Sequence, residues 1–209
     1  EMSIDQYNGN SMVAMAGKNC VAIATDTRLS TNLLTIDTNF QRVFKVNDGC
    51  IVGISGLATD VQTFQSLMNF KVNLYNLKEG RDIKASTYSK LVSTSLYEHR
   101  FGPYFVAPIV AGLDKVGENE YKPVICTYDS IGYREHSGNF EVGGTGGELL
   151  YGTCETFYKE GLGPEELFEL VSNCLLSAID RDSLSGWGAK VYVLTPDELI
   201  VRTLKTRQD

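Results

Sequence analysis

The chain has 209 residues, of which 43% are hydrophobic and 22% are charged, and its formal net charge is −7 at pH 7. This length and composition fit one large globular domain or two small ones, with enough apolar residues for a sizeable core. Lysine and arginine form no cluster beyond a short C-terminal stretch, so no nucleic-acid partner is expected. No apolar run approaches the roughly 20 residues that span a bilayer, so no membrane partner is expected.

The first part of the chain is predicted to form two β-hairpins. Short apolar runs are separated by Gly17-Lys18-Asn19 in one place and by Asn47-Asp48-Gly49 in another. Asp-Gly between two apolar runs is a strong hairpin signal. The predicted strands are residues 12–16, 20–25, 42–46 and 50–55.

Two helices are predicted next. Apolar residues recur at helical spacing from Thr59 to about Leu77, and Thr59 with Gln62 has the pattern of an N-terminal capping box. A second apolar stripe begins near Ser86, and Gly102-Pro103 marks a stop after it.

The second half of the chain repeats this order. One helix is predicted to start after Gly147, and another at Pro164, with Glu165 and Glu166 at the positive end of the helix dipole. Because consecutive strands joined by short turns favour antiparallel pairing, the pattern indicates an α+β protein. The predicted strands are residues 105–111, 123–127, 140–142, 190–194 and 199–204.

Five short motifs carry a resemblance to a known family. They are Gly9-Asn10-Ser11-Met12, Ala24-Thr25-Asp26-Thr27-Arg28, Phe40-Gln41-Arg42-Val43-Phe44, Gly144-Thr145-Gly146 and Arg181-Asp182-Ser183-Leu184-Ser185-Gly186-Trp187-Gly188. Together they resemble the β-type subunits of the 20S proteasome, over nearly the whole chain. The resemblance implies a four-layer αββα sandwich of two antiparallel sheets flanked by helix pairs, the N-terminal-nucleophile hydrolase fold. It also implies a single domain over residues 1–209, with residues 1–9 as an unprocessed N-terminal extension.

The nucleophile of the active members of this family is missing from the expected place. In those members a threonine follows the glycine and becomes the mature N-terminus, whereas Asn10 follows Gly9 here. An amide cannot serve as the nucleophile in acyl transfer, and release after Gly9 would use the missing hydroxyl. The resemblance therefore implies no catalytic residue and no enzyme activity of this chain. We interpret six positions as vestigial: Asn10, Asp26, Arg42 (lysine in active members), Thr145, Asp182 and Ser185.

Other interpretations of these residues stay open. Ser11 is one residue out of register, and a one-residue shift along a strand turns the side chain to the other face, so we do not expect it to replace the threonine. Asp26 could simply pair with Arg28, and Asp182 could brace a helix end. Two alternatives for the whole chain are a working hydrolase with a rearranged site and a stand-alone binding module.

Further segments narrow the resemblance to one non-catalytic subtype, and they include Ala16–Asp26, Arg100-Phe101-Gly102-Pro103-Tyr104 and the C-terminal residues 204–209. The resemblance implies a structural place in the β ring between the type-2 and type-4 subunits, with contacts to α-ring subunits and to the opposite β ring. It implies a part in ATP- and ubiquitin-dependent protein degradation, in the cytoplasm and the nucleus. Asp129 and Tyr133 are expected to line the substrate pocket of the neighbouring trypsin-like subunit.

No cofactor and no metal are expected. The five cysteines form no CxxC pair, and we interpret them as reduced thiols. The glycine run at residues 143–147 lacks the Gly-Lys-Ser/Thr ending of a phosphate-binding loop. A tight turn that enters a helix explains these glycines.

Overall fold

The structure is a computed structural model, and it describes residues 3–209. A 3-10 helix at Ile4–Gln6 precedes the first strand. The strands are β1 (Ser11–Gly17), β2 (Cys20–Asp26), β3 (Leu29–Thr31), β4 (Leu34–Asp37), β5 (Val43–Asn47), β6 (Cys50–Gly56), β7 (Val106–Lys115), β8 (Tyr121–Tyr128), β9 (Arg134–Glu135), β10 (Phe140–Gly144), β11 (Ala189–Leu194) and β12 (Leu199–Leu204). The helices are α1 (Ala58–Glu79), α2 (Ala85–Tyr97), α3 (Gly147–Phe157) and α4 (Pro164–Ile179).

Ten of the strands form two antiparallel five-stranded sheets. The first sheet has the order β10-β1-β2-β11-β12, and the second has the order β5-β6-β7-β8-β9. Strands β3 and β4 pair separately as a small hairpin. Both predicted hairpins are present, because β1 pairs with β2 and β5 pairs with β6.

The layers follow from the side chains of the strands. Every residue of β2 is buried, as expected for a strand covered on both faces, so its sequence is a continuous apolar run rather than an alternating one. Three apolar clusters fill the molecule: one between the first sheet and α3/α4, one between the second sheet and α1/α2, and one between the two sheets. This arrangement confirms the predicted αββα sandwich.

The structure corrects one detail of helix α1. The helix begins at Ala58, and Leu57 stands at its N-cap without a side-chain hydrogen bond, so the predicted capping box at Thr59 is wrong. The Asn8 side chain supplies the missing acceptor: its Oδ1 lies 2.9 Å from the backbone nitrogen of Ala58.

Three short strands, β3, β4 and β9, were not predicted. Strands β3 and β9 have three and two residues, too few for an alternating pattern. Strand β4 alternates apolar and polar residues over its four positions, and the sequence analysis missed it. Among residues 3–209, the helices are all too short or too polar for a membrane span.

Candidate functional site

Four strand ends bring the predicted site residues together. The strands are antiparallel, so one end of the first sheet brings together the start of β1, the end of β2, the end of β10 and the start of β11. Ser11 lies opposite Gly144, and Asp26 lies opposite Ala189. All six positions interpreted as vestigial lie at or beside this end of the sheet: Asn10, Asp26, Arg42, Thr145, Asp182 and Ser185.

Asp26 and Arg42 form a fully buried ion pair. Nη1 of Arg42 lies 3.7 Å from Oδ1 of Asp26. The carboxylate also accepts hydrogen bonds from the backbone nitrogens of Ser11 (3.0 Å) and Gly186 (3.1 Å). Burial raises the pKa of Asp26 to about 6, against the lowering effects of Arg42 and of the two N–H groups.

The Arg42 guanidinium also braces the backbone on either side of Thr27. Its Nη1 donates to the Asp26 carbonyl at 3.1 Å, and its Nη2 donates to the Arg28 carbonyl at 2.6 Å. The alternative that Asp26 pairs with Arg28 does not hold, because the Arg28 guanidinium donates elsewhere. Its acceptors are Oγ1 of Thr35 and the carbonyls of Leu33 and Leu184.

A second cluster joins Asp182 to three hydroxyl groups. Thr145 donates to Oδ2 of Asp182 at 2.7 Å, and Ser185 donates to the same oxygen. Ser11 donates to the Ser185 hydroxyl at 2.7 Å. Oδ1 of Asp182 accepts from the backbone nitrogen of Leu184 at 3.2 Å, so the carboxylate organises the loop between α4 and β11.

Asn10 is buried between this cluster and an open cleft. Its carbonyl accepts from the backbone nitrogen of Gly146 (3.2 Å) and lies 3.1 Å from the Thr145 hydroxyl oxygen. Its side-chain Nδ2 is buried and has no hydrogen-bond partner among residues 3–209. Asn10 lines the cleft, whereas the Ser11 side chain lies in the Asp182 cluster.

The cleft has a volume of about 440 Å³. Two of its hydroxyl groups already donate to protein acceptors: Thr145 donates to Asp182, and Ser55 donates to the Ala107 carbonyl at 2.8 Å. The acceptor of Ser55 is a backbone carbonyl, which cannot take up its proton, and the acceptor of Thr145 is a carboxylate oxygen that also accepts from Ser185. The lining residues are Ser3, Gln6, Asn10, Ser55, Gly56, Phe105, Val106, Ala107, Ser130, Gly144 and Thr145.

Asp129 and Tyr133 lie in the turn that follows β8, in which Ser130 lines the cleft but Asp129 and Tyr133 do not. Oδ1 of Asp129 accepts from the backbone nitrogens of Ile131 (3.1 Å) and Tyr133 (2.8 Å), so the carboxylate shapes the turn. The Tyr133 side chain is 65% exposed. Both side chains therefore reach the surface, and their contact with a neighbouring subunit stays a prediction.

The sequence analysis missed Asn8 as a functional candidate. Its Nδ2 donates to the Ser30 carbonyl at 2.5 Å, while its Oδ1 accepts from Ala58. The one related feature of the sequence is that Leu57, the residue before helix α1, cannot accept a hydrogen bond through its side chain, so another residue must do so. This feature does not identify Asn8 as the acceptor, because Asn8 and Ala58 are far apart along the chain.

The structure gives no indication of a metal centre. Within residues 3–209, His, Cys, Asp and Glu side chains do not gather in groups of three or more. All five cysteines are buried and free.

Comparison with known proteins gives one consistent family. The family model described as proteasome subunit matches residues 6–194. The chain is 56% identical over 208 residues to proteasome subunit beta type-3 of Picea mariana, and the match covers 100% of both chains. It is 54% identical to proteasome subunit beta type-3-A of Arabidopsis thaliana and 52% identical to probable proteasome subunit beta type-3 of Schizosaccharomyces pombe, again over 100% of both chains.

Proposed function

Because this chain belongs to the proteasome subunit family, we propose that it is a non-catalytic structural subunit of the 20S core β ring. The observation that carries the proposal is Asn10. It stands where active members of the family place their threonine nucleophile, and it offers an amide to the cleft. An amide nitrogen carries no lone pair suited to attack on a peptide carbonyl, so acyl transfer has no starting group at this position.

The proposal gives the remaining polar residues a structural role. Asp26 and Arg42 join β2 to the segment before β5, and Asp182 joins the loop before β11 to Thr145 and Ser185. Buried polar groups of this kind must find hydrogen-bond partners, whether or not the site is active. In this proposal Asp26, Arg42, Thr145, Asp182 and Ser185 hold the scaffold together through their hydrogen bonds, whereas the side chain of Asn10 only fills the place of the nucleophile.

The segment before Asn10 is part of the proposed mature subunit. Self-cleavage after Gly9 would need the hydroxyl that Asn10 lacks, so the extension stays attached. No free α-amine then lies at Asn10 to act as a general base.

The partners of the subunit follow from the same proposal. Proteasome subunits assemble with one another, and a ring requires two different, head-to-tail flanks on each member. We place the chain between the type-2 and type-4 subunits of the β ring, in contact with α-ring subunits and with the opposite β ring. Its cellular role is then to support ATP- and ubiquitin-dependent protein degradation in the cytoplasm and the nucleus.

A second part of the proposal concerns the substrate pocket of the neighbouring trypsin-like subunit. Asp129 and Tyr133 are exposed on one turn, which is the placement that lining a neighbour's pocket would require. The charge of Asp129 would favour basic substrate side chains in such a pocket.

The test of the proposed function is the intact mass of this subunit from purified particles, with and without a covalent inhibitor directed at catalytic threonine. We expect a mass that includes the segment before Asn10, and no mass increase with the inhibitor. An active β-type subunit of the same particle is the matched control, and it should gain the mass of the inhibitor.

Three results would count against the proposal. A mass that begins at Asn10 or Ser11, or an inhibitor adduct on this chain, would favour the working hydrolase with a rearranged site. Absence of the chain from purified particles, together with a stable soluble monomer, would favour the stand-alone binding module.

A further inference from the structure

We propose that Asn8 is a clasp that fixes residues 3–9, here called the strap, in the gap between strand β3 and the start of helix α1. In this position the strap blocks the path that an extended peptide would take toward the cleft. The proposal rests on the proposed function, because it requires that the strap is retained.

The two ends of the Asn8 amide contact opposite walls of the gap. Nδ2 donates to the Ser30 carbonyl on β3 at 2.5 Å, and Oδ1 accepts from the Ala58 nitrogen at the start of α1 at 2.9 Å. The Asn8 side chain is buried. One amide group therefore bonds both a strand carbonyl and one of the N–H groups that a helix leaves free at its N-terminus.

The strap also pairs with the backbone beside β3. The backbone nitrogen of Asn32 donates to the Tyr7 carbonyl at 3.0 Å. An extended peptide that adds to a sheet edge needs free backbone groups on that edge. Here the strap uses the Ser30 carbonyl and the Asn32 N–H, so this part of the edge is already occupied.

Steric fit fixes the path of the strap on either side of Asn8. A Cβ at Gly9 would lie 2.3 Å from Cβ of Leu184, so the backbone runs too close to that loop for any side chain. On the other side, Ser3 and Gln6 form part of the cleft lining. The strap is therefore held at Gly9 and Asn8, and its earlier residues reach the cleft itself.

Hydrogen exchange by mass spectrometry on particles that contain the full chain tests the clasp. In the wild-type protein, we expect the amides of Asn32 and Ala58 to be protected. In Asn8→Ala both amides lose their partner or its support, and we expect exchange about tenfold faster at both, as for the loss of a buried hydrogen bond. Asn119→Ala is the matched control, because its side chain is exposed and far from the strap, and it should leave both rates unchanged.

Asn8→Asp separates the two halves of the clasp. Aspartate keeps an acceptor for the Ala58 N–H, and its charge suits the N-terminus of a helix. It cannot donate to the Ser30 carbonyl. We therefore expect faster exchange at Asn32 and retained protection at Ala58. Thermolysin should cleave the strap faster in both Asn8 variants than in Asn119→Ala.

The clasp would be overturned if the amides of Asn32 and Ala58 were unprotected in the wild-type protein. It would also be overturned if Asn8→Ala and Asn119→Ala had the same exchange rates at these amides and the same rate of thermolysin cleavage in the strap. The intact mass of the same sample is measured first. A chain that begins at Asn10 refutes the proposed function, whereas an intact chain with an exchanging strap refutes the clasp alone.

Discussion

Asp26 and Arg42 are single residues whose burial makes each depend on the other. Both side chains are buried, and the acid accepts two backbone hydrogen bonds while the guanidinium donates to two carbonyls. Burial disfavours the charged form of each partner: it raises the pKa of Asp26 and lowers the pKa of Arg42. A buried pair of this kind adds little net stability, but loss of one member leaves an uncompensated charge.

Arg42→Met should therefore destabilise the protein strongly, by about 3–5 kcal/mol at pH 8, because Asp26 keeps a buried charge without its partner. Arg42→Lys is the matched control. Lysine keeps the charge but cannot span the carbonyls of Asp26 and Arg28 with one ammonium group, so its loss should be smaller. Hydrogen exchange in increasing urea, on particles that carry each variant, measures the free energy of unfolding of this chain.

The pH dependence of these variants gives the sharper comparison. The pKa of Asp26 in the folded protein, about 6, lies above its ordinary value of 3.8. The stability from this group is thus fully present below pH 3.8 and is lost as the pH rises through about 6. Loss of the Arg42 charge raises this pKa further, so the deficit of Arg42→Met should shrink as the pH falls from about 8 to about 5.5. If the stability deficit of Arg42→Lys shrank by the same amount over this pH range, the result would contradict this account.

Among the secondary-structure elements, helix α1 ends in a backbone conformation that favours glycine over other residues. Helix α1 ends at Gly80, which has φ 67° and donates its N–H to the Asn76 carbonyl at 2.9 Å. This left-handed conformation is the usual helix C-terminal one, and glycine adopts it without strain. Space is not the constraint, since a Cβ at Gly80 would meet nothing within 4 Å.

Gly80→Ala should lower the free energy of unfolding by about 1–2 kcal/mol, through backbone strain alone. Gly102→Ala is a control with the same chemical change: a Cβ there also meets nothing within 4 Å, and its φ is outside the left-handed region. We expect the control to change stability by less than about 0.5 kcal/mol. Similar urea midpoints for the two variants would show that the conformation of Gly80 is not what limits it.

At the scale of the whole molecule, the sandwich leaves large apolar side chains on its surface. On the β3–β4 hairpin, Leu33, Leu34 and Ile36 are all more than half exposed, and Leu77 and Phe101 are exposed on the side of α1 and α2. Exposed apolar groups at this density are typical of surfaces that are covered in an assembly. This observation agrees with membership of a family whose members assemble with other subunits.

The proposed pocket contact of Asp129 also belongs to this scale. Asp129→Asn keeps Oδ1 for the backbone nitrogens of Ile131 and Tyr133, so the turn should survive while the charge is lost. We expect lower kcat/KM for cleavage after basic residues in particles that carry this variant. Cleavage after large apolar residues by the same particles is the internal control. An unchanged ratio of the two activities would remove Asp129 from the pocket.

The order of the main elements and the buried faces of β2 and α4 could be predicted from the sequence. The continuous apolar run of β2 predicts a strand that is buried on both faces. The apolar stripe of α4 predicts a helix that packs against the core on one face. The motif around Asn10 carried the proposal that the nucleophile is absent. These features are local, so spacing along the chain was enough to find them.

The hydrogen-bond partners of the polar residues could not be predicted from the sequence. Asp26 pairs with Arg42 rather than with Arg28, and Asn8 rather than Thr59 serves the start of α1, because strand pairing brings distant segments together. Ser11 and Asn10 are neighbours in the chain, yet one enters the Asp182 cluster and the other lines the cleft. Hydrogen-bond partners depend on distances of a few ångströms between elements, and such distances are set by packing rather than by sequence spacing.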